Sequence, residues 1–214
     1  MPRWLWIALA VGLAALLWAA NRDTSPVRAT RAGTGAGVTC VPPPGEFDLR
    51  APQQTPASPA MPPFELGDHQ ITPLAGFALE ARVLAREDYR FDRNAAISPT
   101  DLALGWNRMA REEHYRSLSI WQSGRWYYYR WGSEGPPLPL DEIIASSANM
   151  HMIPADAGVA EALSRVRPGQ TVRLRGWLVE VRGADGWTWR SSLSREDSGN
   201  GGCEVVYVCA LASY

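Results

Sequence analysis

The chain has 214 residues, 46% of them hydrophobic and 20% charged, with a formal net charge of -1. All 21 basic residues are Arg, ten residues are Trp and three are Cys. A near-neutral chain excludes a nucleic-acid binder that relies on a broad basic surface, three cysteines are too few for a disulfide scaffold, and ten Trp exclude a disordered composition.

Residues 4–20 read WLWIALAVGLAALLWAA and carry no charge. As a helix they span roughly 25 Å at ~1.5 Å per residue, enough for a thin bilayer core of about 27–30 Å. Trp4, Trp6 and Trp18 lie near the two ends, where amphipathic rings prefer the headgroup layer. A cleaved signal peptide needs small residues one and three positions before the cut. Cutting after Ala20 or Ala19 would place Trp18 or Leu17 at the third position, so residues 1–20 are expected to be an uncleaved transmembrane anchor. Arg22, Arg28 and Arg31 follow the segment and Arg3 precedes it, which leans weakly towards an outside N-terminus. A three-residue N-terminus before a long C-terminal part is the layout of an exported anchor, and this decides the expectation. The chain is read as a single-pass bacterial inner-membrane protein with its C-terminal part in the periplasm.

Residues 21–63 hold nine prolines and no apolar periodicity, which predicts a disordered, Pro-rich tether. Residues 64–214 are the expected folded domain of α+β class. It has 16 Arg against 19 acidic residues, net -3, whereas the first 63 residues carry five Arg and three acids, net +2.

The first predicted element of the domain is a strand around Phe77–Leu84, with Phe77, Leu79, Ala81 and Val83 on one face. Ser98-Pro99-Thr100-Asp101 reads as a helix start leading into a short helix over Leu102–Ala110. Ser117–Gln122 and Arg125–Trp131 read as a hairpin around Ser123-Gly124. A short helix or turn over Asp141–Ser147 and a better helix over Ala157–Val166 follow, the latter ended by Pro168-Gly169. Three strands complete the chain: Thr171–Arg182, Trp187–Leu193 and Glu204–Leu211. In Thr171–Arg182 the polar face becomes apolar beside Gly176, as in a strand that coils around a small barrel. The expected fold is a small, mostly antiparallel, OB-like β-barrel with two or three short helices, preceded by one transmembrane helix.

Ser147–Ala155 and Ser191–Glu204, together with Gly169–Val179, resemble a family of membrane-anchored or lipid-anchored bacterial envelope proteins. The resemblance covers most of residues 74–211. Ser198 and Gly202 depart from it, standing where Thr and Ala are expected. It implies an envelope location and a single-domain layout, and it implies no particular chemistry.

Cys203 and Cys209 lie six apart on one predicted strand, roughly 20 Å at ~3.3 Å per residue, too far for a mutual disulfide. They read as small buried residues, and Cys40 could pair with either. The candidate catalytic residues are His151, Arg195, Asp197, Cys203 and Glu204. Cys203 after Gly201-Gly202 could act as a nucleophile with His151 as base. Glu204 alternates with Val206 and Val208, so it should face the core and need Arg195 or Arg190 as partner. Trp126, Tyr128, Trp187 and Trp189 are the candidate ligand-binding residues, as a stacking surface for a sugar or another ring. With three His and no HExxH or CxxC spacing, no metal site and no cofactor are expected.

The leading expectation is a non-enzymatic binding or scaffold module near the inner membrane. Its partners would be an envelope protein or cell-wall glycan, with no nucleic acid. The alternative is a cell-wall-directed hydrolase or transferase using a polar pocket around His151, Arg195 and Glu204.

Overall fold

The structure, a computed structural model, describes residues 38–196 and 202–214. The expected anchor, the first part of the expected tether and Asp197 lie outside the described residues. No helix among the described residues is long and apolar enough to cross a membrane.

Ten strands and three short α-helices make up the described chain. In order they are β1 (Gln53–Pro56), β2 (Phe64–Leu66), β3 (His69–Asp88), β4 (Thr100–Gly105), α1 (Glu112–Tyr115), β5 (Leu118–Ser123), β6 (Trp126–Trp131), α2 (Leu140–Ala145), β7 (Ser147–Pro154), α3 (Ala157–Arg165), β8 (Thr171–Gly183), β9 (Thr188–Arg190) and β10 (Glu204–Ser213). A single turn of 3-10 helix, Asn107–Ala110, precedes α1.

The long strand β3 organises the fold. It pairs with β8 from His69↔Gly183 to Arg82↔Thr171, and its second half pairs with β4. The pairings β3–β4, β4–β7, β7–β10, β10–β8 and β8–β3 return to their starting strand and form a five-membered ring. Only β7 and β10 run parallel among these neighbours. The strands turn at register shifts, between Pro73 and Ala75 and between Val83 and Ala85 on β3, and between Val208 and Ala210 on β10. Gly176 lies opposite Val208 beside the last of these. A Cβ at Gly176 would sit 2.2 Å from the Tyr207 carbonyl oxygen, so the close approach of β8 to β10 requires glycine there.

Alternate residues of the five strands point inward. Leu79, Leu102, Met150, Leu174 and Val206 belong to one fully buried cluster. Each such side chain contributes roughly 1.5–3 kcal/mol on leaving water. The helix α3 adds Val159, Leu163 and the following Val166 to the same cluster. Its N-cap Asp156 accepts a hydrogen bond from the Val159 amide at 2.9 Å. The outer side of β8 and β10 carries a second cluster, in which Trp177, Val181 and Tyr207 pack with Phe64 and Ile71.

The predicted hairpin, the predicted helix at 157–166 and the three C-terminal strands form close to where the sequence places them. Two elements differ. Residues 100–105 are a strand and not the start of a helix: Leu102 and Leu104 point inward, and both edges of β4 are paired, to β3 and to β7. Ser147–Pro154, where the sequence reading places no strand, is the central strand β7.

The described part of the expected tether also packs on the sheet. Cys40 is disulfide-bonded to Cys209, Pro43 and Met61 are buried, and β1 pairs with β3. Trp177 Nε1 donates to the Val41 carbonyl at 2.9 Å, and Arg175 donates to the Gly45 carbonyl at 2.7 Å. A Pro-rich strap has few amide N–H groups to satisfy, so side chains that donate to its carbonyls hold it without any apolar period.

Candidate functional site

The long connection between β4 and β7 folds back over the outside of these two strands. Leu118 on β5, Leu138 just before α2 and Ile143 on α2 bury against Leu84, Ala103 and Met109. The β5–β6 turn uses Gly124 at φ +58 and Arg125 at φ +70, a left-handed pair that matches a two-residue hairpin. This backbone directs the Arg125 side chain inward.

Arg125 is the centre of a buried polar cluster. Its Nη1 donates to Asp101 Oδ1 at 2.9 Å, and its Nε and Nη2 grip the Asp92 carboxylate at 3.0 and 2.8 Å. Nη2 also donates to the Ser98 carbonyl, and the guanidinium lies 4.0 Å from the centre of the Tyr89 ring. Asp101 is 0% exposed, and its other oxygen, Oδ2, lies 2.9 Å from His151 Nδ1 and 3.3 Å from Asn149 Nδ2. The His151 contact is short but poorly aligned for a hydrogen bond, so it acts as a charge–dipole contact or, on protonation, an ion pair. The His151 ring is 3% exposed and sits 4.6 Å from Trp189. Asn149 uses both of its amide hydrogens, donating to Asp101 and the Arg125 carbonyl, and its oxygen accepts from Gln122.

These charges leave a clear electrostatic pattern. Burial alone would push the Asp92 carboxyl up, but the Arg125 hydrogen bonds and charge, with two backbone amides, hold it below the usual carboxylate range. Burial, reinforced by the Asp101 charge, pushes the Tyr89 hydroxyl up to about 12. Burial also pushes Tyr127 and Tyr129 upward.

A second polar group lies at one mouth of the ring. The helix α3 covers the other end, where Leu163 and Val166 accept hydrogen bonds from Arg86 through their carbonyls. At the mouth away from α3, Glu204 begins β10 and is 1% exposed. Arg195 Nη1 lies 3.1 Å from Glu204 Oε1, and its guanidinium lies 5.5 Å from the centre of the Phe77 ring. The expected core-facing orientation of Glu204 and its expected partner are both present.

Between this mouth and the hairpin is a recess of about 120 Å³. It is lined by Trp126, Tyr127 and Tyr129 of β6, by Ser147 and Asn149 of β7, and by Arg195, Cys203 and Glu204. Cys203 takes no part in the disulfide.

The sequence candidates therefore divide. Arg195, Cys203 and Glu204 share the recess. His151 does not: Glu204 pairs with Met150 and Val205 with His151, so Glu204 follows the inward face while His151 follows the outward one. The aromatic candidates divide as well. Trp126 lines the recess, while Tyr128 faces solvent and stacks on Trp121 at 5.5 Å. Trp187 and Trp189 pack together at 6.0 Å, with Trp187 beside Arg93 and Trp189 on His151, so the four make no single surface. The reading of Cys209 as a lone buried residue gives way to its bond with Cys40.

Asp101, Arg125 and Asn149 were not among the sequence candidates. Asn149-x-His151 on one face of a strand was the available signal, and it was obscured because no strand was assigned to these residues. Among the described residues, no three His, Cys, Asp or Glu side chains gather closely enough to hold a metal ion. No family model, curated protein or solved structure matches the chain.

Proposed function

We propose that this chain is a single-pass envelope protein whose periplasmic domain is a non-enzymatic binding module built on an OB-like barrel. Numbered along the chain, the five ring strands close in the order 1-2-3-5-4-1, with α3 between the third and the fourth. That arrangement supports the OB-like reading, as does the coiling of β3 and β8. Barrels of this kind use the outer face of their second and third strands for ligands. Here the chain's own hairpin and the Arg125 cluster cover that face, which leaves the mouth and its recess as the accessible site. The Cys40–Cys209 disulfide fits an oxidising compartment, in keeping with an exported domain.

The observation that carries the non-enzymatic reading is the separation of the polar groups. His151 and Asp101 are buried, paired and on the opposite face of the sheet from Glu204, so they offer no joint reach to one reacting atom.

The test uses the full chain in lipid nanodiscs mixed with purified cell-wall sacculi. The protein is expected to sediment with the sacculi and release no soluble fragments. Release of fragments that is lost in His151→Ala or Glu204→Gln would overturn the reading in favour of a hydrolase. A reporter fused after Tyr214, active only outside the cytoplasm, tests the orientation.

A further inference from the structure

We propose that the loop carrying Phe91 rests in the headgroup layer of the bilayer to which the chain is anchored, so that the domain lies against the membrane surface. The proposal rests on the anchored reading given above. Three observations carry it.

The first is the ring itself. Residues 89–99 join β3 to β4, and Phe91 is 98% exposed, more than any other large hydrophobic side chain among the described residues. The loop is tied on both sides of it. The Tyr89 amide donates to the Pro99 carbonyl at 2.8 Å, Arg125 grips the Asp92 carboxylate, and the Asn94 amide donates to Asp92 Oδ1 at 2.8 Å. Single exposed apolar side chains are ordinary. A whole phenylalanine ring held out on an ordered backbone is different, because it needs no further ordering to bind. Its apolar surface leaves water when the ring enters the boundary between headgroups and acyl chains.

The second is the charge around the ring. Asp92 is paired with Arg125 at 2.8 Å, and Arg93 with Asp185 at 3.0 Å. Arg90 is exposed and has no ion pair among the described residues. The nearest acid in sequence without such a pair is Glu87, back on β3. The acid beside Phe91 is therefore neutralised, and the cation left over is next to the ring, which suits a layer of lipid phosphates.

The third is the length of chain between the apolar run and the fold. The disulfide fixes Cys40 to Cys209 on β10. Cys40 and Ile97 of the Phe91 loop both pack against the second hydrophobic cluster, so the chain reaches the fold on the side of the barrel that carries the loop. In the anchored reading, residues 21–39 are the whole link. A coil of that length spans about 25 Å, against a width of roughly 40 Å for a domain of this size. The link is shorter than the domain is wide, so the face it leaves from is held at the bilayer.

The experiment uses the full chain, with 4-fluorophenylalanine in place of its four Phe, reconstituted in vesicles of phosphatidylethanolamine and phosphatidylglycerol. Phe91→Leu identifies the Phe91 fluorine resonance by its loss. A nitroxide on the lipid acyl chain near the headgroup is expected to broaden that resonance beyond detection and to leave those of the buried Phe64 and Phe77 sharp. A water-soluble gadolinium chelate on the domain's side of the bilayer is expected to leave all three sharp. A sharp Phe91 resonance in the nitroxide vesicles overturns the proposal, whether the chelate then erases it, as for a ring in water, or spares it, as for a ring covered by protein. Erasure by both reagents describes the passing collisions of a tethered domain and also overturns it. An alkaline carbonate wash separates this result from the anchored reading. Chain retained through the wash with a sharp Phe91 resonance leaves the anchor and removes the contact. Chain lost in the wash removes the anchor, and chain added to preformed vesicles then decides the loop by the same two reagents.

Discussion

Arg125 shows how a single backbone angle places a charge. A non-glycine residue at φ +70 is uncommon, and the hairpin turn holds it there so that the guanidinium enters the space between Asp92, Asp101 and Tyr89. Removing one member of a buried pair strands the other. Arg125→Ala is therefore expected to cost about 3–5 kcal/mol by leaving Asp101 charged and buried, read as a shift in urea midpoint. Asp92 is half outside the cluster, and Asp92→Asn is expected to cost less.

The tyrosines give a pH signature at the same scale. In the fold, Tyr89 holds its proton up to about 12, whereas an unfolded tyrosine loses it near 10. Its contribution to stability is complete below about pH 10 and is lost as pH rises towards 12. Spectrophotometric titration at alkaline pH is expected to show one group of tyrosines ionising normally and a second, including Tyr89, Tyr127 and Tyr129, ionising later. Asp92 acts in the opposite direction. Its folded carboxyl titrates below the unfolded value of about 3.9, so its contribution is present above that value and is lost as pH falls through the folded pKa.

At the scale of elements, the strap and the hairpin are the two additions to the five-strand ring. The strap is held by the disulfide, by the short pairing of β1 with β3 and by side chains that donate to its carbonyls. The disulfide joins residues 169 apart in sequence, so it constrains a large part of the unfolded chain. Cys40→Ser is expected to lower stability by roughly 2–5 kcal/mol, measured as the denaturant midpoint against the oxidised parent. A reducing agent should reproduce that shift in the parent and leave Cys40→Ser unchanged. The hairpin has a different role. Its inner residues bury Ala103 and cover Asp101, while its β6 rings line part of the recess. One element thus closes a face of the ring and opens a site at its rim.

At the scale of the molecule, the hydrophobic pattern made part of the fold legible and hid the rest. The change beside Gly176 was readable because the outer face of β8, polar at Arg173 and Arg175, turns apolar from Trp177 onward, where the second cluster covers it, while Val172, Leu174 and Leu178 keep the inner face. The helix at 157–166 was readable from its period, its acidic cap and the Pro-Gly that follows. The segment at 100–105 misled because Ser-Pro-Thr-Asp is a good local helix start. Six residues also cannot separate a period of 2 from one of 3.6 once every position is buried. Local preference lost to pairing on both edges. Glu204 and its Arg195 partner were legible, since a carboxylate on an apolar face needs a cation. The Arg125–Asp101–His151 cluster was not, because its members come from three strand neighbourhoods and meet only when the hairpin folds over β4 and β7.

The sequence alone determined the composition class, the charge-free apolar run at 4–20, most strand positions and the inward face of β10. Local periodicity and turn chemistry act over a few residues and are written in order along the chain. Only the tertiary structure decided the closure of the ring, the choice of Cys209 as partner of Cys40, and the placing of His151 and Glu204 on opposite faces. Those outcomes depend on register between strands distant in sequence, and a shift of one residue reverses every side chain's face.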